Sequence, residues 1–81
     1  MDESKLIISC KIPYGRKGII RKIDGPEYHV TRLREMGFHE GLEVTKVSDD
    51  AHRCVILNFR GRKFYLNEGA AHTIFVELIN D

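Results

Sequence analysis

Read for the alternation of apolar and polar positions, the chain is mostly short strands. Apolar residues two apart favour one face of a strand, and Val, Ile, Phe and Tyr fit a pleated, half-buried surface. On that basis we read a strand at Gly18 to Asp24 with Ile20 and Ile23 as core contributors. A second runs from Leu42 to Ser48, with Leu42 and Val44 on one face. A third is Arg53 to Arg60, where Val55, Leu57 and Phe59 alternate with Cys54, Ile56 and Asn58. The fourth is Arg62 to Asn67, with Phe64 and Leu66 two apart, and the fifth is Thr73 to Ile79, with Ile74, Val76 and Leu78 on one face. An opening strand at Lys5 to Cys10 also fits the alternation. Phe59-Arg60-Gly61-Arg62-Lys63-Phe64 reads as a tight hairpin in which Gly61 supplies a positive φ.

One segment follows a different period. Asp24-Gly25-Pro26 suits a helix start, because proline is preorganised for the first turn. Val30, Leu33 and Met36 then recur at i, i+3 and i+6, an apolar stripe on one side. Gly37 ends the helix in a left-handed cap that lets Phe38 pack back on Leu33. A second short turn is expected at Glu68 to His72. The sum is a mainly β fold of about five strands with one short helix, of a size that closes into a small barrel.

Composition narrows the function classes. With 81 residues the chain forms one domain over 1–81 and has a thin core. A catalytic pocket of several hundred cubic ångströms would take much of it, which favours a surface-binding module. The net charge of +1 creates no field that implies nucleic acid. Lys11 to Arg34 carries seven basic and two acidic residues, and Glu35 to Asp50 carries five acidic and one basic, so the surface is two-signed. Such a surface suits a protein partner. No signal peptide or bilayer-length apolar run is present, and a cytoplasmic protein without membrane insertion is expected.

Candidate chemistry is sparse. Cys10 and Cys54 lack CxxC spacing, and Cys54 reads as a core residue. His29, His39, His52 and His72 are scattered; only His52 and Cys54 share a strand face, and two ligands make no selective site. No metal site and no cofactor are therefore expected. Phosphate loops, nucleophile elbows and dinucleotide fingerprints are absent from the sequence, so it is read as no enzyme. Arg60-Gly61-Arg62-Lys63, with Phe59, Phe64 and Tyr65 nearby, is the one candidate nucleic-acid contact, and it is disfavoured because those aromatics sit at core-alternating positions. A groove for proline-rich peptides is also disfavoured, for want of tryptophan and of clustered tyrosines.

The segment Arg32-Leu33-Arg34-Glu35-Met36-Gly37-Phe38-His39-Glu40-Gly41-Leu42-Glu43-Val44 resembles the central motif of the FeoA family. Gly61, Leu66, Ala71, Ile74 and Val76 match the spacing of that family's last hairpin and closing strand, and Gly15, Gly18, Ile20 and Ile23 its first strand. The resemblance covers about Ile8 to Leu78. It departs at Glu40, where many members have proline, and at Asn67, where many have arginine. It implies a small SH3-like barrel that accompanies the ferrous-iron transporter FeoB and binds its cytosolic GTPase domain. The same barrel occurs at the C-terminus of metal-dependent repressors, a context not expected here because nothing in this sequence before the barrel reads as a winged helix. With Leu33, Gly37 and Gly41 as the structural motif, Arg32, Arg34, Glu35, Phe38 and His39 are the expected partner contacts. A monomer or weak dimer is expected.

Overall fold

The computed structural model describes residues 5–47 and 54–79. Six strands form one antiparallel sheet: β1 (Leu6–Ile8), β2 (Lys17–Ile23), β3 (Glu43–Lys46), β4 (Cys54–Phe59), β5 (Arg62–Asn67) and β6 (Ile74–Leu78). Helix α1 (Glu27–Met36) links β2 to β3, and α2 (Glu68–Ala71) links β5 to β6. The strand order is β1-β6-β2-β3-β4-β5.

β2 explains why Ile20 and Ile23, three apart, both reach the core. Ile20 pairs with Val76 but Lys22 with Phe75, so one extra residue bulges from β2 and resets its alternation. Gly18, Ile20 and Ile23 are all buried as a result. The other inner faces follow the expected alternation: Leu42 and Val44, Leu57 and Phe59, and Ile74 and Val76 join Leu33 and Ile12 in one core. Phe64 and Leu78 are only half-buried against it. The Val55 side chain and the candidate pair His52 and Cys54 lie outside the residues whose side chains are described.

The hairpin between β4 and β5 has a two-residue turn in which both Arg60 (φ 55°) and Gly61 (φ 76°) are left-handed. This is the turn type whose twist matches the flanking strands. It pins the register from Phe59↔Arg62 to Cys54↔Asn67.

The sheet is not a closed ring: it ends at β1 on one side and β5 on the other. β1 is only three residues long and passes into a 3-10 turn, Ser9–Lys11, leaving too short a ladder to meet β5. α2 packs against that turn and against β4 and β5. The buried Ser9 hydroxyl donates to the Ala71 carbonyl at 2.7 Å and ties the two together. Asn67 caps α2 by accepting the Ala70 N–H at 2.9 Å, so the departure from the family pattern at this position has a structural use.

Candidate partner-binding site

Helix α1 and its exit loop carry the motif. Pro26 stands at the N-cap and Gly37, at φ 105°, ends the helix. The Phe38 N–H donates to the Leu33 carbonyl and the Gly37 N–H to the Arg34 carbonyl, each at 3.0 Å. These two bonds are the Schellman arrangement, which needs the left-handed residue that glycine adopts without a Cβ clash. At Gly41 the backbone is again left-handed, and its N–H donates to the Ile20 carbonyl at 2.7 Å, sewing the loop to β2. Leu33 is fully buried.

The cap also decides what Phe38 does. Its side chain is 1% exposed, inside a cluster where its ring meets Phe59 edge-on at 4.9 Å and Phe64 at 5.4 Å. Phe59 and Phe64 stack at 4.5 Å, 7° from parallel. The expectation that Phe38 contacts a partner is therefore corrected. The chain reversal at Gly37 aims it inward, where three rings share apolar burial and edge-to-face contacts.

The other four expected contacts are exposed, but they do not converge. Residues two apart on a helix point about 160° away from each other, so Arg32 and Arg34 flank α1 on opposite sides. Arg32 lies over the Tyr28 ring, 5.9 Å from its centroid. On that flank α1 faces β5 across a groove of about 160 Å³, lined by Tyr28, His29, Arg32, Leu33, Met36, Tyr65, Leu66, Asn67 and Ala70. Tyr28 and Tyr65 are 64% and 66% exposed at this groove. Tyr28 and Tyr65 are far apart along the chain, and tertiary structure brings them together. Nothing in the local pattern around either residue marks the pairing.

On the opposite flank Arg34 donates two parallel hydrogen bonds to Glu40, at 3.0 and 2.9 Å. His39 beside it donates from Nδ1 to the Glu40 carbonyl at 2.8 Å. The departure from proline at residue 40 thus supplies a latch between α1 and its exit loop. Hydrogen bonds from Arg34 hold the Glu40 carboxyl below its ordinary value, and those bonds with the Glu40 charge raise the Arg34 value. Glu40 is lower in the folded than in the unfolded chain. Its contribution is therefore complete above the unfolded value of about 4.3 and is lost as pH falls through the folded value. A carboxyl-detected NMR titration should show Glu40 protonating below an ordinary glutamate, and Arg34→Ala, which removes the largest cause, should raise it toward the ordinary range. Both side chains are exposed, so Glu40→Gln should barely change Tm while freeing the Arg34 guanidinium.

At the β4–β5 hairpin Arg60, Arg62 and Lys63 are exposed, but Phe59 is buried and Phe64 half-buried. That leaves Tyr65 as the one exposed ring of the three for a base to stack on. Among the described residues no three His, Cys, Asp or Glu side chains gather as a metal site, and no helix is long and apolar enough to cross a membrane.

With this geometry the chain can be set beside known proteins. The FeoA domain model matches residues 10–78. The chain belongs to the FeoA family. That family consists of small accessory domains associated with ferrous iron transport and is no known enzyme class. Among solved structures the chain is similar to an iron uptake regulatory protein (FeoA), at TM-score 0.82 and 22% identity, over 91% of this chain and 99% of that one. It is equally similar to a FeoA-like protein from Clostridium acetobutylicum, at TM-score 0.82 and 20% identity, over 95% and 91%. A manganese-dependent transcriptional repressor shares the fold at TM-score 0.82 and 13% identity, over 91% of this chain and 42% of the repressor. At these identities the likeness to solved structures shows the fold alone. No curated protein matches the chain.

Proposed function

We propose that this chain is a cytoplasmic, non-enzymatic accessory of ferrous iron uptake that binds the cytosolic GTPase domain of FeoB. The observation that carries the reading is the FeoA motif held on a rigid helix with exposed flanks. α1 is fixed by the buried Leu33 and by the Schellman cap, and it presents Arg32 at the groove and Arg34 on the other flank, next to His39, with Glu35 also exposed. Polar side chains on a rigid element form a patch whose geometry is set before contact, which reduces the ordering cost of binding. Regulation through such a contact requires different affinity for two states of the transporter, since equal affinity shifts neither.

The test is an amide-shift titration with the cytosolic FeoB domain of the same organism, with and without a GTP analogue. Shifts confined to residues 28–41 are expected, and nucleotide should change the affinity. Arg32→Glu and Arg34→Glu made separately will identify the flank used, because the two side chains face apart. Absence of any shift at near-millimolar domain would overturn the reading.

A further inference from the structure

β5 is an end strand of the sheet, and among the described residues its second edge carries no strand. Across a two-residue hairpin turn the flanking residues, here Phe59 and Arg62, exchange both backbone hydrogen bonds. Alternation then directs the N–H and C=O of Phe64 and Leu66 to β4, and those of Lys63 and Tyr65 away from it. Among the described residues no backbone hydrogen bond outside the ladder reaches Lys63 or Tyr65. Two donors and two acceptors thus stand open along a six-residue strand, whereas the opposite edge strand, β1, has three residues.

The Tyr28–Tyr65 groove lies beside this edge, since Tyr65 and Leu66 of β5 form one of its walls. Its volume of about 160 Å³ is on the scale of an apolar cavity that accepts a benzene ring, about 150 Å³. The groove lining includes Arg32 and no acid, and residues 60–67, the turn and β5, contain three cations, Arg60, Arg62 and Lys63, and no acid, the next residue being the exposed Glu68. These cations disfavour edge-to-edge pairing with a second copy, which would set two such groups against each other. They favour a strand of opposite charge.

We propose that β5 takes an extended acidic segment of a partner protein as a seventh strand, with one aromatic or aliphatic side chain of that segment seated between Tyr28 and Tyr65. The proposal rests on the reading above, that the chain works by binding a protein, and specifies the chemistry of one contact. In strand addition, backbone bonds to Lys63 and Tyr65 supply affinity, and the groove with its flanking cations supplies selectivity.

The probe is a capped heptapeptide alternating glutamate with valine and phenylalanine, compared with its lysine counterpart. Titration of the full chain should shift residues 62–67 and Tyr28, and should slow solvent exchange of the Lys63 and Tyr65 amides. Lys63→Pro removes an outward donor and no ladder bond, a position where an edge strand tolerates proline. It should weaken peptide binding roughly tenfold, the upper range for one hydrogen bond. Tyr65→Ala, at an exposed ring, should weaken it as well and serves if the proline variant does not fold. Equal binding of the lysine peptide, unprotected amides, or no binding at millimolar peptide would each overturn the proposal. So would capture of a single-stranded oligonucleotide at Arg60–Lys63, with salt-steep affinity, in place of the peptide. The peptide stands in for no particular partner, so its failure with an intact FeoB contact removes the strand site alone. Failure of the FeoB domain with intact peptide binding removes the accessory reading alone.

Discussion

Phe38→Ala is expected to cost about 3–5 kcal/mol of folding free energy, the range for deleting a fully buried aromatic side chain. A domain of this size has on the order of 5 kcal/mol in total, so the variant should be largely unfolded at 37 °C. The loss is at the high end because Phe38 packs edge-on against both Phe59 and Phe64 and is held there by the cap at Gly37. Truncation leaves a cavity that those two rings, stacked on each other, fill poorly. Urea unfolding followed by circular dichroism checks it. A Tm close to wild type, with partner binding alone reduced, would mean that Phe38 is a contact residue after all. Phe38→Leu keeps most of the volume and should lose distinctly less.

Gly18→Ala should lose about 1–3 kcal/mol, the range for forcing an extra carbon into a packed interior. Gly18 lies in β2 between Val44 of β3 and Leu78 of β6. A Cβ placed there would stand 3.0 Å from Cγ2 and 3.1 Å from Cβ of Val76, which is fully buried. Three antiparallel strands meet at this point, so relief requires spreading the β2–β6 ladder. Combined with Val76→Ala the cost should be less than the sum of the two single losses, because removing Cγ2 opens space for the new carbon. Thermal melts of the three variants measure this, and strict additivity would show that the close approach is not the cause.

The elements were legible where local chemistry punctuates the chain. Pro26 and Gly37 bracket α1, and Gly61 announces the hairpin after which β5 runs from Arg62 to Asn67, as expected. The core positions of β3 and β6 followed from period-two alternation. The FeoA motif was legible because it joins a helix stripe to two turn glycines at fixed spacing. Strand count and closure were harder: the sheet has six strands, and no ladder joins β1 to β5.

The candidate site was legible as a list of residues and not as a surface. Sequence spacing set Arg32 and Arg34 side by side, whereas helical rotation sends them to opposite flanks. The fork between Arg34 and Glu40 spans the helix end, so it needs the loop path to exist before the pair can be recognised. Tyr28 and Tyr65 belong to different elements, and only packing of α1 beside β5 makes them two walls of one groove.

Helix start, helix stop, hairpin turn and the inward face of most strands depend on φ preference and on burial with a period of two or about 3.6. Those constraints act over a few residues, and any window of the chain carries them. The bulge at Arg21, the inward turn of Phe38, the open edge of β5 and the groove beside it depend on how distant segments share one small core. That choice is made by packing all inner faces at once, so no local window carries it, and it fixes which exposed surface is available to a partner.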